Sequence, residues 1–286
     1  MIKHGCRLLF RQVCQHSSKH RRHMGSSVRA AAATTTSGGM VHGSVSEQIG
    51  HIVIDNPNKL NAMSLQMYDH VPNAVKDASN SRVCILSGAG DKAFGAGSDI
   101  SEFPQVRNGA TQAAAYSKSE DAASTALLSL SQPLIAKIQG PCFGGALNLA
   151  LAADLRYASD DATFCVPPAK LGIGYPRKLM ELLVAAVGKT NAKQLLFTAQ
   201  AIDANEAKAI GLINVVVPKE NLDDYVEKVA SDIAKLAPLT IASCKMELAS
   251  PDLKSELASL NCYSSLDYQE GVQAFLERRP PSFVGK

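Results

Sequence analysis

From residue 51 onward, short apolar runs alternate with stretches in which apolar residues recur every three or four positions. HIVID (51–55), RVCILSG (82–88), LIAKIQG (134–140) and LRYAS (155–159) read as short buried strands. Helical spacing predicts helices over 64–79, about 110–131, 145–153 and 176–187. From Asn191 onward helices dominate, at 191–199, 203–210, 222–236, 238–249 and 253–277. Strands alternating with helices predict an α/β layer architecture, and the helix-rich last third predicts an added subdomain for packing or assembly.

Composition is that of one globular domain of moderate size: 286 residues, 46% hydrophobic and 19% charged. No apolar run approaches the roughly 18 residues of a membrane span. The net charge of +3 hides an asymmetry. Residues 1–46 hold seven of the 29 basic residues and none of the 26 acidic ones, leaving 22 against 26, a net of −4, from Glu47 onward. A basic, acid-free start followed by SSVRAAAATTTSGG reads as a mitochondrial-type import leader over residues 1–44, expected to be disordered or removed, with the protein in the matrix. A merely basic tail is the alternative. A domain at −4 makes nucleic acid an unfavoured partner.

Five of the seven histidines lie in the leader, so the domain keeps His51 and His70. Neither follows a motif for a Ser–His or Cys–His nucleophile, and no His/Cys spacing supports a metal site. The seven cysteines form no CxxC pair and are odd in number, as free thiols in a reducing compartment would be. No GxxxxGK[ST] phosphate loop occurs.

Two strand ends carry the same device. RVCILSG leads to KAFGAGSDI (92–100), and LIAKIQG leads to PCFGGALN (141–148). Each is a strand, a glycine-bearing turn with a Phe, and a helix start, where backbone N–H groups are unpaired. Two such turns side by side would offer two N–H donors to one oxygen, each worth roughly 2.7–4 kcal/mol to an oxyanionic transition state.

These stretches, together with NKLNAMS (58–64), ATFCVPPAKLGIGYP (162–176), FTAQAIDANEAKAIGLINVVV (197–217) and DYQEGVQAFLERRPPSFVGK (267–286), resemble the crotonase superfamily of enoyl-CoA hydratases and isomerases. The resemblance implies a spiral of ββα units over 45–215 and a helical trimerisation subdomain over 216–286. It implies an acyl-CoA thioester as substrate, with no cofactor beyond the coenzyme A the substrate carries. Its oxyanion donors would be the N–H groups of Ser98 and Gly145. Ser98, Asp99, Ile100, Ser101 and Gly145 would line the acyl group, and backbone near Lys59, Ala62 and Ala96 would hold the coenzyme A. Phe275 and Arg278 would cover coenzyme A from a neighbouring subunit of a homotrimer or hexamer. Simpler readings stand beside these: Asp99 with Glu102 also fits a helix capping box, and Arg278 a solvated charge.

Hydratases of that family use two glutamates, where this chain has Asn148 and Pro168. Adding water to an alkene needs a group to take one proton and a group to give another. Decarboxylation of a malonyl-type thioester needs the oxyanion hole but no base, because loss of CO₂ replaces proton abstraction. KLGIGYP and the C-terminal stretch resemble the methylmalonyl-CoA decarboxylases of the superfamily. That likeness implies that Tyr175 helps orient a substrate carboxylate, which points to methylmalonyl- or ethylmalonyl-CoA. The chain departs from that pattern at Ser98 and Asn148, where those enzymes carry His and Glu. Asn148 is read as contacting substrate or satisfying a buried turn. A divergent hydratase or isomerase with a displaced acid, Glu102 or Glu181, is the second reading. A non-catalytic coenzyme A- or RNA-binding relative is the third.

Overall fold

The computed structural model describes residues 38–250 and 252–286. Among them, six strands form one sheet in the order β1 (Met40–Ser46), β2 (Ile49–Asp55), β3 (Val83–Gly88), β4 (Leu134–Ile138), β6 (Leu155–Ser159) and β9 (Val215–Val217). A smaller sheet holds β5 (Pro141–Phe143), β7 (Thr163–Cys165) and β8 (Ile202–Asp203). β1 and β2 pair antiparallel, Met40 opposite Asp55, and the remaining pairs of the large sheet run parallel. Helices make the crossovers: α1 (Leu65–Ala78), α2 (Gly109–Leu128) and α3 (Gly144–Leu151).

The apolar runs follow from a sheet covered on both sides. Cys84 and Leu86 join Ile52, Ile54, Leu134 and Ala136 in one core, and Val83, Ile85 and Ile135 fill the other. Each fully buried aliphatic side chain contributes roughly 1.5–3 kcal/mol, so a strand apolar on alternate faces has no solvent side to spare. Against the first face α1 lays Met67, Tyr68, Val71, Ala74, Val75 and Ala78, one stripe of a helix started by the Ser64 side chain accepting the Met67 N–H.

After β7 comes α4 (Arg177–Thr198), whose two arms correspond to the separate helices expected at 176–187 and 191–199. Gly188, at φ 73° and ψ 164°, joins them outside helical geometry. α5 (Ala204–Ala209) opens with a capping box between Asp203 and Glu206. α6 (Leu222–Ala234) then covers the second sheet face with Leu222, Val226 and Ala230. α7 (Pro238–Ala249), α8 (Leu253–Cys262) and α9 (Leu266–Glu277) follow. The single helix expected over 253–277 is two, because Ser265 caps a new start by accepting the Tyr268 N–H.

Two boundaries differ from the sequence reading. β1 starts at Met40, inside the stretch read as leader, and its register with β2 is continuous from there. Val41 is its one buried hydrophobic residue, too little apolar pattern to announce a strand. Residues 1–37 of that leader lie outside the described residues. At the other end, β9 crosses the 215/216 boundary and α6 belongs to the sheet's packing, so the separate helical region begins near Pro238. There, Leu248 and Phe275 are 88% and 82% exposed. The last residues fold back: buried Asp267 accepts the N–H groups of Val284 and Gly285, and Arg82 donates to the Phe283 carbonyl. No helix among the described residues is long and apolar enough to cross a membrane.

Candidate active site

The two glycine turns lie against each other. Phe94 donates to the Gln139 carbonyl at 2.7 Å, Gly95 to Pro141 at 3.0 Å, and Phe143 back to Gly95 at 2.9 Å. The first turn then crosses to a third segment: Met63 donates to Gly97 at 2.8 Å and Asp99 to Met63 at 2.7 Å. This lacing passes over two amides. Among the described residues, neither the Ser98 N–H nor the Gly145 N–H donates a hydrogen bond. Gly145 lies in the first turn of α3, whose N-cap, Phe143, has no side chain able to satisfy it.

Both glycines are demanded by this closeness. Gly97 has φ +100°, and a Cβ on it would come 3.1 Å from the Phe143 carbonyl oxygen and 3.7 Å from the Gly145 nitrogen. A Cβ on Gly145 would fall 1.9 Å from the Tyr68 hydroxyl.

These amides open on a cleft lined by Ala96, Ser98, Ile100, Gly145, Asn148 and Tyr175, with Pro167, Pro168, Leu171 and Ile173 as apolar wall. Tyr175 donates to Asn148 Oδ1 at 2.5 Å, and burial pushes its hydroxyl pKa up. Its proton is therefore committed to Asn148 here, which leaves the amide NH₂ of Asn148 as the available neutral donor. The Ser98 hydroxyl hydrogen-bonds the buried Tyr68 hydroxyl at 2.9 Å.

The cleft also holds a charged pair that the sequence reading missed. Glu120 on α2 and Arg107, which follows a one-turn helix at Phe103–Val106, both line it. Arg107 Nη2 stands 3.5 Å from Glu120 Oε2, and the Ser98 hydroxyl donates to Glu120 Oε1 at 3.4 Å. Burial raises the Glu120 pKa, outweighing the Arg107 charge and the Ser98 hydrogen bond that lower it. The visible signal was a helix whose buried face reads Tyr116, Glu120, Ala123, Ser124, Leu127: an acid within a core stripe.

The remaining candidates fall elsewhere. Lys59 and Ala62 adjoin the cleft's rim, where Ala96 donates to the Leu60 carbonyl at 2.9 Å. Asp99 caps the turn Ile100–Glu102 through the Ser101 N–H and hydroxyl, and pairs with Lys59 Nζ at 2.6 Å. Partial burial pushes the Asp99 carboxyl up, but hydrogen bonds from Lys59 and Ser101 prevail and hold it below the ordinary value. Asp99 does cap, though without the reciprocal box: Glu102 instead accepts the Leu65 N–H at 2.6 Å. Glu102 is thus occupied at the start of α1, and Glu181 is an exposed partner of Arg177. Neither lines the cleft, so neither is the displaced acid. Phe275 and Arg278, at the end of α9, are also outside it.

Comparison with known proteins agrees with this geometry. The sequence model of the enoyl-CoA hydratase/isomerase family matches residues 44–286. Methylmalonyl-CoA decarboxylase of Escherichia coli is 34% identical over 243 residues, covering 79% of this chain and 91% of that protein. A short-chain-enoyl-CoA hydratase of Clostridium acetobutylicum is 32% identical over 243 residues, covering 81% and 92%. The crystal structure of an enoyl-CoA hydratase/carnithine racemase from Magnetospirillum magneticum superposes with a TM-score of 0.82 at 33% identity, covering 86% of this chain and 96% of that one. With its laced glycine turns and a family match from residue 44 to residue 286, the chain belongs to the enoyl-CoA hydratase/isomerase, or crotonase, family of acyl-CoA enzymes.

Proposed function

We propose that this family member decarboxylates a malonyl-type thioester, methylmalonyl- or ethylmalonyl-CoA. The observation that carries the reading is a pair of unpartnered amides, Ser98 and Gly145, beside a cleft lined, among the described residues, by one acid, Glu120, rather than by two carboxylates. The thioester oxygen sits between the two N–H groups. The bond from the α-carbon to the carboxylate breaks, CO₂ leaves, and the electron pair passes into the thioester as an enolate held by those donors. Glu120, whose pKa burial raises, in its acid form returns a proton to the α-carbon and is itself reprotonated from solvent. Tyr175 and Asn148 hold the acyl group beside the apolar Pro167–Pro168 wall.

Incubating the purified protein with malonyl-, methylmalonyl- and ethylmalonyl-CoA tests this, with release of CO₂ from one of them as the expected result. Absence of CO₂ from all three overturns it. Glu120 also favours a second reading, isomerisation of a 3-enoyl-CoA, in which one acid moves one proton along the chain. Double-bond migration without CO₂ release selects that reading. The basic, acid-free stretch ahead of β1 supports import into the mitochondrial matrix. The exposed apolar side chains of α7–α9, Leu248 and Phe275 among them, support assembly as a trimer or hexamer.

A further inference from the structure

Arg107 is a buried cation with almost nothing to bind. Its side chain is 9% exposed, and its guanidinium carbon lies 5.1 Å from the Phe103 ring centroid and 4.5 Å from that of Tyr116. Those two rings meet edge to face, with centroids 5.6 Å apart. Aromatic faces stabilise a guanidinium by cation–π attraction but accept none of its five in-plane N–H donors. Among the described residues the Arg107 side chain makes no hydrogen bond; its contact with Glu120 is an ion pair at 3.5 Å. Glu120 Oε2 is buried and has no hydrogen-bond partner there either. A buried charge pair that leaves the Arg107 donors and one carboxylate oxygen without hydrogen bonds is costly for stability alone. Both residues line the cleft that holds Ser98, Gly145 and Tyr175.

We propose that Arg107 is the receptor for a second, free carboxylate on the acyl group, which it takes in exchange for Glu120. The inference rests on the acyl-CoA reading of the cleft and names its substrate class, a dicarboxylic acyl thioester. A planar fork of N–H donors matches a carboxylate's two oxygens. Tyr175 does not compete for the role, its proton being engaged by Asn148. Once the substrate carboxylate occupies Arg107, Glu120 loses its only cationic neighbour on the cleft wall and is held in its acid form. When CO₂ departs, Arg107 is released to Glu120 again, and the acid strengthens as the enolate carbon needs its proton.

Calorimetric titration of the full chain with acetyl-CoA and with sulfoacetyl-CoA, whose anionic sulfonate cannot leave as CO₂, tests the exchange. The wild type is expected to bind sulfoacetyl-CoA at least about tenfold more tightly. Arg107→Gln should abolish that preference while keeping acetyl-CoA affinity, and Glu120→Gln should increase it by removing the competing carboxylate. Equal binding of the two ligands by the wild type, or a preference that survives Arg107→Gln, overturns the proposal. If Arg107→Gln loses acetyl-CoA as well, Glu120→Gln decides: tighter sulfoacetyl-CoA binding supports the exchange, and unchanged or weaker binding overturns it. A preference for the anionic ligand without CO₂ release from malonyl-type thioesters removes the decarboxylase reading alone. CO₂ release without the preference removes the Arg107 assignment alone.

Discussion

One wall of the cleft is backbone and another is side chain. The first consists of the Ser98 and Gly145 amides, set by hydrogen bonds among three chain segments and by glycines whose added Cβ atoms would collide. The second consists of Arg107 and Glu120, set by two aromatic rings and by the buried stripe of α2. A backbone wall has few variables, because away from its glycines changing a side chain leaves the amides where they are. A side-chain wall can be rewritten by one substitution. The proposed enolate stabilisation belongs to the first wall, and the proposed carboxylate recognition and proton return belong to the second.

Substitutions that separate the walls are ordered by expected effect. Gly145→Ala forces a Cβ onto the Tyr68 hydroxyl and should displace the amide, lowering kcat by about 10²–10³-fold, as loss of one oxyanion donor does. Far-ultraviolet circular dichroism should stay close to wild type. Glu120→Gln should lower kcat by about 10²-fold, the lower range for a lost general acid.

The same residue sets a pH limb. Glu120 faces Arg107, Ser98, Asp121, Tyr68, Tyr116 and Tyr175; burial raises its pKa, Asp121 adds to the rise, and Arg107 and Ser98 oppose it. As an acid it works when protonated, so turnover should fall as pH rises through its raised pKa. Glu120→Gln should flatten that limb, and a limb unchanged in the variant would assign it to another group.

Tyr175→Phe removes the hydrogen bond to Asn148 and should slow turnover about tenfold, about 1.4 kcal/mol. Lys59→Ala should do least. Its pair with Asp99 is half exposed on the lysine side, so the cost is about 0.2–1 kcal/mol, read as a few-fold rise in KM with kcat retained.

The same division explains what could be read from the sequence. The glycine turns were legible because a positive φ at Gly97 and Gly144, and a collision at Cβ at Gly145, each favour glycine, so the chemistry is written directly in residue type. The buried strands were legible because a two-faced sheet leaves no polar positions in Val83–Leu86. Arg107 and Glu120 were not, since they lie thirteen positions apart in the sequence and only the packing of α2 against the rest brings them to 3.5 Å. The positions of the family's glutamates, Asn148 and Pro168, carry no acid, and the acid that lines the cleft comes from another element, so their replacement does not announce Glu120. Glu102 and Glu181 looked available because sequence does not show that one is spent on the Leu65 N–H and the other faces solvent.

Asp267 acts as a latch on the C-terminal segment. Its carboxylate is 3% exposed and takes the amides of Val284 and Gly285, while Leu266 donates to the Lys286 carbonyl. Cutting the chain after Ser282 would strand that carboxylate in the interior without donors. Amide exchange over Tyr268–Glu277 should then quicken while the Ser98 and Gly145 region keeps its rate. Tags placed at this terminus would work against the same latch, so a label for following the protein belongs elsewhere on its surface.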